Sequence, residues 1–226
     1  MIISFILTLV FTAIMIVNKE VGYGDLNIVF KSIASLFFIV TPILAYKKNP
    51  QNRKFFILAL TGFVFSFWGD FFLALTTGWS FYAGLLSFAM AQVFFSIAFT
   101  CVVKINLTDG ILFAIITALT IAIQNVIKGF SFDGKYPFIV LYTFVISFML
   151  VKAISFVRIK NGNTRAIAMV VVSMVLFFIS DYVLMFYMFY DNAPKILSYI
   201  NLCFYYSGQA IFGLSFSKPL RVLDKD

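Results

Sequence analysis

Residues 55–75 read FFILALTGFVFSFWGDFFLAL, 21 residues with a single charge, Asp70. About 20 apolar residues, rising roughly 1.5 Å each, cross the hydrocarbon core of a bilayer. The stretch therefore predicts a transmembrane helix. An ionisable group in such a helix costs about 3 kcal/mol on insertion scales and marks function by default. One segment thus sets the fold class and supplies the first candidate site residue.

The same pattern recurs on both sides of it. Apolar runs predict helices at about 2–17, 28–46, 55–75, 80–103, 109–127, 137–157, 166–190 and 196–217. The expected fold is all-α, a polytopic membrane protein of about eight transmembrane helices forming one domain over residues 1–226. Composition agrees: 62% of residues are hydrophobic and 12% charged, against roughly half and a quarter in soluble domains. The 31 phenylalanines suit lipid contact and inter-helix packing. The N-terminus runs straight into apolar sequence without a basic region or cleavage site, which predicts a retained first helix rather than a signal peptide.

The net charge of +8 sits mainly in short loops, as in Lys47, Lys48, Arg53 and Lys54. Bases placed so meet anionic lipid headgroups and set orientation; nucleic acid is not an expected partner. Loops 2–3, 4–5 and 6–7 with the C-terminus carry eleven Lys and Arg, the opposite loops four, namely Lys19, Lys128, Lys135 and Lys195. Both termini are therefore expected to be cytoplasmic, and the Lys-rich, Arg-poor set suits a bacterial plasma membrane. Cys101 and Cys203 fall in predicted helices and are expected as small core residues without a disulfide. The sequence has no histidine, which excludes His-based metal sites and His-containing catalytic triads. Neither a metal nor a cofactor is expected.

An internal match relates the two halves. Phe65-Ser-Phe-Trp-Gly-Asp70-Phe-Phe-Leu73 aligns with Leu176-Phe-Phe-Ile-Ser-Asp181-Tyr-Val-Leu184, and Ala91-Gln92 through Phe99 aligns with Gly208-Gln209 through Phe216. Each pair shares three identities in nine and is anchored on a rare polar residue. The expected arrangement is a parallel four-plus-four repeat, about 1–104 and 109–217, with an axis along the membrane normal.

The aspartates agree in depth. Asp70 lies 16 residues beyond Lys54, and Asp181 16 beyond Arg165, which places both about 24 Å up their helices. The other acids, Glu20 and Asp109 among them, fall in predicted loops or at helix ends. Lys31 reaches the same plane from helix 2, and Tyr142 holds the equivalent position in helix 6. Gln92 and Gln209 lie somewhat deeper on helices 4 and 8. Each has a bland alternative: Lys31 snorkels, and the glutamines bond helices together. Two carboxyl groups sharing a low-dielectric site with a lysine do not ionise alike, so one serves as acid and the other as base. That division suits hydrolysis through an oxocarbenium-like state, and a site in the bilayer implies a lipid-like substrate.

In order and spacing, Lys31, the Phe65–Asp70 segment, Phe81-Tyr-Ala-Gly84-Leu-Leu-Ser-Phe88, Ser180-Asp181 and Tyr206-Ser-Gly-Gln209 resemble the YhhN family of lysoplasmalogenase-like membrane proteins, from about Lys31 to Ser217. The resemblance implies hydrolysis of the vinyl ether bond of lysoplasmalogens, with Asp70 and Asp181 as catalytic acid and base and Lys31 at the lipid phosphate. It leaves open which aspartate plays which part. Gln92, Tyr142 and Gln209 join Lys31 as expected substrate-binding residues, and the expected partners are a lysophospholipid and the bilayer. The sequence departs from the family pattern at Gln92 and Phe95, where the family usually has His and Tyr, and at Ser32, where it commonly has Pro. A glutamine orients but does not titrate, so a catalytically silent member stays open. A transporter or lipid-binding protein using the same residues is the alternative from another class.

Overall fold

The computed structural model describes residues 1–22, 26–50, 52–75 and 77–220. The loop residues Tyr23, Gly24, Asp25 and Thr76, and the C-terminal Arg221 and Lys225, lie outside the described residues. The fold is all-helical: α1 (Ile2–Val21), α2 (Leu26–Lys48), α3 (Arg53–Ala74), α4 (Ser80–Val102), α5 (Leu107–Val126), α6 (Tyr136–Ile154), α7 (Thr164–Phe189) and α8 (Ile196–Ser215). A 3₁₀ turn, Ser155–Arg158, extends α6. The first seven helices are long and apolar enough to cross a membrane, so this is a multi-pass membrane protein. The eighth is less apolar because it carries Tyr199, Asn201, Tyr205, Tyr206 and Gln209.

Asparagines start three of the helices. Asn52 accepts from the Phe55 amide, Asn163 accepts from Arg165 and Ala166, and Asn106 forms a reciprocal capping box with Asp109. Each satisfies amides that the first turn leaves without intrahelical partners.

Six helices close a ring in the order α2, α3, α4, α6, α7, α8 and back to α2. Inside it the phenylalanines pack on one another: Phe95 and Phe212, equivalent positions in the internal match, meet edge to face with ring centroids 5.2 Å apart at 90°, and Phe63 stacks on Phe212 at 5.2 Å. The contacts α2–α3, α3–α4 and α8–α2 have counterparts in α6–α7, α7–α8 and α4–α6. The outer helices break the pattern. The first packs on both α2 and α8, whereas α5 packs chiefly on α6.

Three expectations need correction. The first helix runs to Val21 rather than 17, so Asn18, Lys19 and Glu20 are helical and not in a loop. Tertiary partners supply the reason: the Lys19 ammonium donates to Ser198 Oγ and Glu20 accepts from the Tyr199 hydroxyl. Gly22, at φ 88°, then ends the helix in the left-handed conformation that suits glycine. Cys101 and Cys203 are free, as expected, but exposed rather than in the core, because they lie on outward faces of their helices. Asp109 is at a helix start, as expected, yet is buried. It pairs with Lys152 at 3.0 Å and with Arg158 at 2.9 Å. Lys152, which the sequence reading passed over, also donates to the Val103 carbonyl at 2.9 Å, tying the end of α6 to the α4–α5 connection.

Candidate functional site

Asp70 and Asp181 hold the same place in their helices. Asp70 follows Arg53, the first residue of α3, by 17 positions, and Asp181 follows Thr164, the first of α7, by 17. Asp70 is buried and accepts from Ser35 Oγ at 2.6 Å and from the Tyr205 hydroxyl at 2.9 Å. Asp181 accepts from the Tyr142 hydroxyl and from Gln92 Nε2, the latter at 3.1 Å. Gln92 donates to the Tyr142 oxygen as well. Each carboxyl group is therefore held by the second helix of its own half and the last helix of the other half. Charged or neutral, a buried carboxyl needs such partners, since an unmet polar group in a dry interior costs about 1–3 kcal/mol.

The two aspartates bound one cavity of about 220 Å³, together with Lys31, Lys19, Asn201 and Tyr205. Four ionisable groups of opposite sign thus converge in a space large enough for a polar headgroup. A second, apolar chamber of about 60 Å³ adjoins it between Leu73, Phe81, Phe88, Ile139 and Met185. Asp181 belongs to the walls of both spaces. Asp181 thus stands at the junction of a charged cavity and an apolar chamber.

The expected residues separate into two groups. Asp70, Asp181 and Lys31 share the cavity, and Gln92 and Tyr142 reach it through Asp181. Gln209 does not line it: this residue is buried and donates to Ser66 Oγ at 3.1 Å, one turn before Asp70 on α3. Three contributors were missing from the expected set. Ser35 stands one helical turn after Lys31, and Tyr205 one turn before Gln209, so a search at i ± 4 from the chosen residues would have found both. Lys19 extends the buried stripe Ser4, Thr8, Thr12 and Met15 of α1, a helical period continuing beyond the apolar run.

The model of the YhhN family matches residues 26–216. The chain belongs to the YhhN family. No curated protein and no solved structure matches it. In this YhhN protein the matched region contains Lys31, Asp70, Gln92, Tyr142, Asp181 and Gln209, whereas Lys19 precedes it. At the helix 4 position where the resemblance anticipates histidine, Gln92 is in direct contact with Asp181. The glutamine preserves a donor to the carboxylate and gives up a titratable ring.

Proposed function

We propose that this YhhN-family protein hydrolyses the vinyl ether bond of lysoplasmalogen-type lysolipids. The observation that carries the reading is the common cavity of Asp70 and Asp181, shared with Lys31 and continuous in its wall with an apolar chamber. A protonated carboxyl group delivers its proton to the vinyl carbon distal to oxygen, leaving an oxocarbenium ion on the carbon that bears the ether oxygen. The second carboxylate takes a proton from water as the water oxygen attacks that carbon. The hemiacetal so formed collapses to a fatty aldehyde and a glycerol hydroxyl, with one water consumed. Lys31 and Lys19 suit the phosphate of the headgroup, and Tyr142 and Gln92 hold Asp181 in place. Carboxylic acid and carboxylate working as a pair is established chemistry for oxocarbenium-like transition states.

The test is release of fatty aldehyde from lysoplasmalogen by the purified protein, with Asp70→Asn and Asp181→Asn alongside. Aldehyde from the native protein and its loss in both variants is the expected result. A folded native protein that releases none overturns the reading, and solute uptake into proteoliposomes would assign the cavity to transport.

A further inference from the structure

Two apolar spaces lie along the seam between α4 and α6. Its outward side carries an apolar furrow of about 250 Å³ bounded by Tyr82, Leu86, Ala89, Phe138, Leu141 and Val145. Val145 also bounds a second stretch, of about 460 Å³, that continues along the seam past Val93, Ile97, Cys101 and Phe148. The faces beside it are bare: Leu86 and Leu141 are each 64% exposed.

This furrow leads inward. Leu85 and Tyr142 belong both to its wall and to that of the apolar chamber. The chamber in turn shares Asp181 and Leu184 with the charged cavity. Three spaces thus adjoin in sequence from the lipid-facing surface to the two aspartates. At the opposite seam of the ring, between α2 and α8, α1 packs on both helices. The helix in the corresponding place, α5, packs chiefly on α6 and leaves the α4 side uncovered.

We propose that the alkyl chain of a single-chain amphiphile enters from the bilayer through the α4–α6 seam and passes between Leu85 and Tyr142 to reach Asp181. The inference rests on the hydrolase reading for the identity of the amphiphile and on geometry for the route. The occupant is a chain rather than a helix of a second copy. A helix laid on the seam would cover the furrow from outside, but nothing as broad as a helix follows the branch into a chamber of about 60 Å³. The charge distribution agrees: among the described residues no charged one lines the furrow, Asp181 is the one charged residue in the chamber wall, and Lys19 and Lys31 line the cavity at the inner end, where a headgroup would lie. Tyr142 links access to chemistry. Its hydroxyl donates to the same Asp181 oxygen as Gln92 does, so displacement of its ring by an arriving chain also removes one donor from that carboxyl group.

The route is tested with a lysolipid carrying a photoreactive diazirine in mid-chain, cross-linked to the native protein in liposomes and mapped by peptide mass spectrometry. Label is expected on 85–97 of α4 and 138–148 of α6, displaced by excess unlabelled lysolipid. Ala89→Trp, which fills the furrow, should abolish that label and lower aldehyde release at least tenfold with elution and melting behaviour unchanged. Ile57→Trp, a lipid-facing change on α3, should alter neither. Label spread evenly over all lipid-facing helices, or an Ala89→Trp protein with full label, overturns the route. So does a change from dimer to monomer in Ala89→Trp together with label that unlabelled lysolipid does not displace, which assigns the seam to a second copy. Displaceable label at the seam without aldehyde release from native protein would sustain the route and reject the hydrolase reading.

Discussion

Gln92 and Asp181 meet across the inside of the ring, amide nitrogen to carboxylate oxygen at 3.1 Å, and the same amide also donates to the Tyr142 hydroxyl, which donates to that same Asp181 oxygen. Three side chains from α4, α6 and α7 thereby form one closed hydrogen-bonded group. Its members come from both halves of the chain, so its geometry depends on the ring being closed.

Gln92→Leu removes one of the two side-chain donors to Asp181. A hydrogen bond to a charged group is worth about 1.5–3 kcal/mol, so kcat for aldehyde release should fall by roughly tenfold to a hundredfold. Gln92→His restores both a donor and a titratable ring at this position, and it should release aldehyde at least as fast as native protein. Steady-state kinetics on the two variants checks this. Equal loss in both would mean that the residue acts only through packing.

Tyr142→Phe keeps the ring and removes the hydroxyl. It should lower kcat by a similar factor, about tenfold or more, while leaving the melting temperature within a few degrees. Double-mutant kinetics with Gln92→Leu should be non-additive, since both residues act on the same carboxylate.

Lys31→Met separates an anchor from a snorkelling residue. If the ammonium holds the substrate phosphate, KM should rise about tenfold, equivalent to about 1.4 kcal/mol of binding, with kcat little changed. Lys19→Met should act in the same direction, and a substrate lacking phosphate should be insensitive to either change. An unchanged KM in both variants would leave the lysines with no part in headgroup binding.

Much of this site was legible because a bilayer makes polar residues expensive. Asp70 and Asp181 stand out in apolar helices, and the internal match that pairs them also singled out Gln92. The match misleads at Gln209. Its partner on α3 is Ser66, four residues before Asp70, whereas Gln92 reaches the aspartate itself. Equivalent sequence positions thus gave different contacts because their neighbours differ. Lys19 was missed for a different reason: hydropathy falls after Val17, but Ser198 and Tyr199 on α8 supply partners that carry the helix one turn further. Those partners lie far along the chain, although the helical period of Ser4, Thr8, Thr12 and Met15 points the same way. Lys152 was missed because its partner Asp109 lies 43 residues away.

That last pair gives a prediction about stability rather than activity. Asp109 is 3% and Lys152 0% exposed, and Asp109 bridges Lys152 and Arg158. Asp109→Asn leaves the lysine charge buried without its carboxylate, and breaking a buried pair from one side costs about 3–5 kcal/mol. Lys152→Met should cost less, because Arg158, 29% exposed on its side chain, still pairs with Asp109. In the double variant neither buried charge remains, so its melting temperature should lie above that of Asp109→Asn alone. Thermal unfolding in detergent ranks the three proteins. If Asp109→Asn melts like the native protein, the cluster contributes nothing to stability. If the double variant melts lowest by the sum of the single effects, the two residues are not coupled through the charge pair. Aldehyde release per folded molecule should be unchanged throughout, since none of these residues lines the cavity of Asp70 and Asp181.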